Sequence, residues 1–428
     1  MLADALTVIS LVFGSSLVRC AYESPTGQGA ASIIRMPQSQ NADVLIVGGG
    51  IIGLAVAWRA RERGMSVTVL DRDVTGRGTS HVAAGMLAPV AEVEFGDAGR
   101  RLLGLGLRSA EMWAGFAAEL EALAEMEVGL ARTGTLLVAR DDDDARELER
   151  QLAFRHELGL AVERLRPSEA RDREPALAPN VRLALEAPDD HSVDPRLVMY
   201  ALRRACDQVG VDIREHSPVA SVELDGASER VTGVTLTNGE RISAPRVVLA
   251  VGPWTDSVDG LPVEARIPVR PVKGQILRLR DPAGPGLLRR VLRFDRGYIV
   301  PRGDGRYVLG ATVEERGFSL QPTVGPIYEL LRDAHELVPG ISELDIEELS
   351  VGLRPGTPDN GPAIGPGAVD GLVWATGHYR NGILLAPLTA QLAAGVLAGE
   401  EMPDHLRSAC APERFTAAAH NPPAHAIQ

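Results

Sequence analysis

The chain has 428 residues, 57 of them acidic and 44 basic, for a formal charge of −13 with histidine neutral. That balance speaks against a nucleic-acid or anionic-membrane binder, which needs a basic excess to displace counterions. At 45% apolar and 24% charged the composition is that of a folded globular protein rather than a disordered one, and its 45 glycines and 29 prolines predict many tight turns rather than a helical bundle.

Residues 5–18 (ALTVISLVFGSSLV) are apolar but too short to cross a bilayer. They lack the basic leader of a signal peptide, because the only charge before them is Asp4, and Arg19 ahead of Cys20 does not suit a lipoprotein site. The sequence therefore predicts that residues 1–41 are a disordered extension or that Met36 is the working start. The three cysteines, Cys20, Cys206 and Cys410, form no close pair, so neither a disulfide framework nor a zinc site is expected, and a reducing cytoplasm is the expected location.

The first organised segment, DVLIVGGG at 43–50, reads as a buried parallel strand entering a turn. A helical pattern follows over 51–63 and ends at Gly64, and SVTVLD then gives a second strand finishing at Asp71. Gly48, Gly50 and Gly53 form G-x-G-x-x-G at the strand-to-helix turn. Gly48 permits the turn, Gly50 allows a pyrophosphate close to the backbone, and Gly53 lets helix and strand pack closely. The helix N-terminus offers unpaired N–H groups to an anion. Asp71 stands where a ribose hydroxyl is bound in such folds, so strand, turn, helix, strand and acid together predict a dinucleotide site.

Further on, DDDDARELERQLAFRHELG at 141–159 reads as a helix opened by aspartates, which suit the N-cap and the positive end of the dipole. Adjacent aspartates diverge, so no metal site is expected there. TGTLLVAR, VRPVKGQILRLR and DRGYIVPRGDGRYVLGATV alternate apolar and polar residues and predict an antiparallel sheet, with GDG at 303–305 turning a hairpin. RVVLAVG and GLVWATG fit further strands of the dinucleotide sheet. The residues after 410, with adjacent prolines and no periodicity, are expected to be a loose tail. Of the 44 basic residues 43 are arginine, and the one lysine, Lys273, lies in PVKGQ. It is either specifically needed there as a compact ammonium or retained by chance.

GGGIIGLAVAWRARERGMSVTVLDRD with GTSHVAAGMLAP at 78–89 resembles the D-amino-acid oxidase superfamily of FAD proteins, and within it glycine oxidases of the thiamine-biosynthesis type. EHSPVASV, RVVLAVGPWT, PVKGQ, YIVPR, VGLRPGTPDNGPAIG and GHYRNGILLAP resemble that family in the same order, so the similarity runs from about 42 to 400. The resemblance implies a mixed α/β fold: an FAD-binding Rossmann-like domain (42–123, 187–263 and 351–409) interleaved with an antiparallel-sheet substrate domain (124–186 and 264–350).

It also implies non-covalent FAD held by Gly48, Gly50, Ile51, Ile52, Gly53, Asp71, Arg72, Thr79, Ser80, Ala84, Gly85, Met86, Val219 and the run His378, Tyr379, Arg380, Asn381, Gly382, Ile383 and Leu384. Arg354 matches the family's carboxylate-binding arginine, whose planar guanidinium can donate two parallel hydrogen bonds. Tyr298 matches the tyrosine that shares the carboxylate, while Arg380 and Met86 fall beside the substrate. Arg296 and Gly297 depart from relatives that place a histidine before that tyrosine.

The activity so implied is oxidation of glycine, and of small amines such as sarcosine, to the imine by hydride transfer from Cα, with dioxygen as acceptor. The resemblance further implies that the imine hydrolyses or passes to thiazole synthase, and that the protein is a homo-oligomer, a tetramer as in the family. A sarcosine or D-amino-acid oxidase, a dehydrogenase passing electrons elsewhere, and a non-catalytic FAD-binding protein are the alternatives.

Overall fold

The computed structural model describes residues 42–226 and 230–416. The expected extension 1–41 and residues 417–428 of the expected tail lie outside the described residues. Apolar β-branched runs form a six-stranded sheet in the order 363–366, 372–376, 247–249, 44–47, 67–70 and 212–214. Its strands are parallel except for the edge pair Ala363–Pro366 and Leu372–Thr376. The helix Ile51–Glu62 packs on this sheet with Ile51 through Trp58 all buried, wedged between the helices Pro195–Val209 and Ala386–Leu397. A helix apolar on nearly every side belongs in such a three-layer core. Among the described residues no helix is long and apolar enough to cross a membrane.

An eight-stranded sheet runs in the order 345–356, 270–280, 306–310, 297–301, 291–294, 135–139, 183–187 and 163–165. The hairpin Gly297–Pro301 to Arg306–Gly310 turns at the expected GDG. One pairing departs from the antiparallel expectation, since Thr135–Ala139 lies parallel to Val291–Phe294. Alternation along a strand reports which face is buried and says nothing about the direction of its neighbour. A smaller antiparallel sheet comprises Val219–Asp225, Arg230–Leu236 and Arg241–Ser243.

The helix at the aspartate run spans Asp142–Glu157, capped by Asp141, whose carboxylate accepts from the N–H groups of Asp143 and Asp144. Two expectations need correction. The strand Asp345–Gly356 crosses the expected domain boundary between 350 and 351, because it pairs along its whole length with Arg270–Arg280. The chain from 410 to 416 is not loose: Phe415 is buried, and Arg414 donates to Asp359 at 3.0 Å, pinning the loop after Arg354. Proline content masked a short helix whose hold comes from tertiary contacts rather than periodicity.

Candidate active site

A cavity of about 810 Å³ lies where the six-stranded and eight-stranded sheets meet. On the six-stranded side, Gly48 has φ +104, and a Cβ there would stand 2.5 Å from the carbonyl oxygen of Ala250. At Gly53 a Cβ would come within 1.8 Å of the Gly48 oxygen, so helix and strand touch through two bare backbones, and Gly53 does not reach the cavity. A Cβ on Gly50 would meet nothing closer than the Ser80 hydroxyl at 3.3 Å. The helix that starts after it has no side-chain cap and no acidic residue in its first turn. A helix N-terminus with no acidic residue in its first turn, beside an open backbone, is the fit a pyrophosphate requires.

Asp71 accepts from the N–H of Gly49 at 2.7 Å and of Asp73 at 2.9 Å, so the acid also braces the turn. Burial raises its carboxyl above the ordinary value. Each oxygen can accept a further bond, and Asp71 lines the cavity. Arg72 lies 3.7 Å over the ring of Trp254, a neighbour the sequence analysis did not single out although Trp254 stands in the matched VGPWT.

The segment after the second strand is anchored on both sides. The Ser80 hydroxyl accepts from the N–H of Ile51 at 3.0 Å, and the Thr79 hydroxyl donates to the Leu353 carbonyl at 2.7 Å. The latter ties the dinucleotide side to the strand that carries Arg354. Arg302 of YIVPR donates to the carbonyls of Ala84 and Val193 at 2.6 and 2.8 Å. Ile51, Ile52, Ala84, Gly85, Met86 and Val219 line the cavity, as do His378, Tyr379, Arg380, Gly382 and Ile383. Asn381 and Leu384 do not, and line a small neighbouring cavity instead. The Leu384 carbonyl accepts from Ser109 and Trp113, so these two positions shape the loop from behind. His378 is bonded to Thr389 at 3.0 Å, and burial takes its imidazole down to about 3, which keeps it neutral.

On the eight-stranded side, Arg354 and Tyr298 line the same cavity. Arg354 donates through Nη1 to the carbonyls of Lys273 and Thr312 at 3.3 and 3.1 Å. Among the described residues no carboxylate pairs with it, and Nη2 and Nε keep their donors. Burial lowers the guanidinium from its ordinary value and pushes the Tyr298 phenol up to about 12. A cationic fork without an acidic partner, next to a neutral hydroxyl, can take a carboxylate with two charge-assisted bonds.

Arg380 is less free, with Glu94 at 3.8 Å. Arg296 lines the mouth paired with Asp295 at 3.3 Å. The wall also includes Glu92, Arg293, Gly274 and Thr312, none of them expected as site residues. Glu92 follows the matched GTSHVAAGMLAP by three residues, and Gly274 stands inside PVKGQ.

Residues 43–395 match the family of FAD dependent oxidoreductases known as DAO. The chain is similar to the bifunctional protein ThiO/ThiG of Synechocystis sp., 39% identical over 387 residues that cover 89% of this chain and 55% of that protein. It thus spans about half the length of those relatives. It is also similar to glycine oxidase of Geobacillus kaustophilus, 34% identical over 84% of this chain and 93% of that one. The crystal structure of glycine oxidase from that organism superposes with a TM-score of 0.79 at 32% identity, covering 85% of this chain and 96% of that one. With the dinucleotide turn, the cavity and the family match in agreement, the chain belongs to the DAO family of FAD dependent oxidoreductases.

Proposed function

We propose that this protein oxidises glycine, and small amines such as sarcosine, by two electrons to the imine. Dioxygen is reduced to hydrogen peroxide, and water converts the glycine imine to glyoxylate and ammonia, or the N-methyl imine of sarcosine to glyoxylate and methylamine. The observation that carries this reading is the Arg354 guanidinium, without an acidic partner and open to the cavity beside Tyr298. FAD, when bound, supplies the two-electron acceptor.

The chain's own residues do the positioning: Arg354 and Tyr298 hold the carboxylate, and Met86 and Arg380 bound the space in which the amine and Cα lie. With His378 buried and neutral, no base on that loop is needed once the amine has lost its proton, and orientation supplies most of the rate. On this reading Gly48, Gly50, Ile51, Asp71 and Arg72 serve the adenylate half of FAD, while Thr79, Ser80, Ala84, Gly85, Val219 and the 378–383 loop line the rest of its site. The six-stranded sheet is then the flavin domain and the eight-stranded sheet the substrate domain.

The reading includes handover of the imine to thiazole synthase, supported by relatives named ThiO/ThiG, and a homotetramer. An anaerobic screen of glycine, sarcosine and D-amino acids tests it. Glycine should bleach the flavin, and readmitted oxygen should be consumed with formation of peroxide. A flavin that no amino acid bleaches would sink the reading, and bleaching by D-amino acids alone would move the substrate class.

A further inference from the structure

We infer that Lys273, Gln275, Thr312, Glu314 and Thr323 form a polar latch at the cavity wall, with Lys273 and Gln275 buried, that fixes the Arg354 guanidinium and so sets the affinity of the carboxylate site. Lys273 is 1% exposed, an unusual place for a lysine. Its ammonium donates to the Gln321 carbonyl at 2.7 Å and lies 3.4 Å from Glu314 Oε2. Glu314 Oε1 accepts from Gln275 Nε2 at 2.6 Å and from the Thr312 hydroxyl at 2.7 Å. Gln275 in turn accepts from the N–H of Thr323 at 2.8 Å, and its own N–H donates to the Thr312 hydroxyl at 2.9 Å. The backbones of Lys273 and Glu314 exchange a pair of hydrogen bonds at 2.9 and 3.0 Å. Residues 312–323 are thereby sewn to the middle strand of three.

Arg354 needs that arrangement. It stands on the strand at the other side of 270–280, with Val272 opposite it, and its side chain reaches across Gly274 to the Thr312 carbonyl. One of its two anchors is therefore on the segment the latch holds, and the other is the carbonyl of Lys273 itself. The carboxylate of Glu314 is already engaged by four groups. It acts through Thr312 as a positioning residue. The Lys273 ammonium meets both the Gln321 carbonyl and Glu314 while buried, which gives the lone lysine a local role.

This inference rests on the carboxylate role proposed for Arg354. The test uses the FAD-loaded protein and glycolate, a two-carbon carboxylate with no amine, whose binding is followed by the flavin spectrum. Glu314→Gln should weaken glycolate and glycine alike by about tenfold, while the limiting rate of anaerobic flavin reduction by glycine stays within about twofold. In an Arg354→Ala background the same change should add nothing, because the group it positions is gone. Thr312→Val, which keeps the carbonyl but loses the hydroxyl, should shift affinity the same way by less and serves if Glu314→Gln does not fold.

Unchanged glycolate affinity in Thr312→Val or Glu314→Gln overturns the latch, as do full additivity with Arg354→Ala and a wild type whose flavin does not respond to glycolate. A wild type that binds glycolate but is not bleached by glycine counts against the functional reading alone, and the affinity comparison still decides the latch.

Discussion

Gly274 gives the sharpest prediction at the scale of one residue. A Cβ at that position would stand 2.6 Å from both terminal nitrogens of Arg354, the far end of a flexible side chain rather than backbone. Gly274→Ala should therefore fold and hold flavin, since alanine suits a strand better than glycine, while the guanidinium swings out of place. Loss of charge-assisted bonds, about 1.5–3 kcal/mol in this class, raises the KM for glycine by about tenfold or more. Steady-state kinetics beside a melting curve check it, and an unchanged KM with an intact melt would show that the guanidinium is not required where it stands. Arg354 itself was legible because its motif singles it out among 43 arginines. Gly274 and Thr312 were not, because their importance lies in a cross-strand register that brings 274 opposite 352. No spacing along the chain carries that information. Asn381 and Leu384 stand outside the main cavity: a run of neighbours in one loop cannot all face one cavity.

At the scale of elements, the strand 345–356 does two jobs at its two ends. Arg354 faces the cavity, while Glu348 accepts from Arg196 at 2.8 Å and lies 3.9 Å from Arg278. Both arginines also donate to the His81 carbonyl, next to the flavin-side segment. The Arg196 hydrogen bond, with the Ser350 hydroxyl and the two positive charges, outweighs burial and takes the Glu348 carboxyl from 4.5 down to about 2. A depressed folded value means that the stabilisation is complete above the unfolded value and fades as pH falls from about 4.5 towards 2. Because the carboxylate is 40% exposed, screening holds the effect to roughly 1 kcal/mol or less. Glu348→Gln should melt lower than wild type at pH 6, and the gap should narrow as pH falls through that window. Parallel melts from above about pH 4.5 down towards 2 read it, and a constant gap would place the effect outside titration. The elements themselves were legible where pattern and cap agreed, as in the aspartate-capped helix and the GDG hairpin. Short strands such as Glu163–Leu165 were not, since two of its three residues are exposed and only the neighbour Leu183–Ala187 makes it a strand.

Across the whole molecule, the cavity draws its wall from all three larger sheets and from the 378–383 loop, so its occupant bears on elements far apart in sequence. A ligand bound only by the folded chain stabilises it by RT ln(1 + [L]/Kd), about 2.7 kcal/mol at a hundredfold excess over Kd. Stripping the flavin should therefore lower the melting temperature, and adding FAD back should raise it with the logarithm of concentration. On the proposed reading one part of the cavity takes the adenylate: the bare turn at Gly48 and Gly50, the start of the Ile51–Glu62 helix, Asp71, and Arg72 stacked on Trp254. FMN offers no adenosine to Asp71 or Arg72 and no bridging pyrophosphate to the helix N-terminus. It should raise the melting temperature far less than FAD at equal concentration, whereas ADP, which carries that half alone, should give a partial rise. Substituting Asp71 by Asn should then reduce the response to FAD and ADP but leave the small response to FMN in place. Equal stabilisation by FMN and FAD would mean that the adenylate half contributes nothing to holding the cofactor, and would detach the glycine turn from the role its geometry fits.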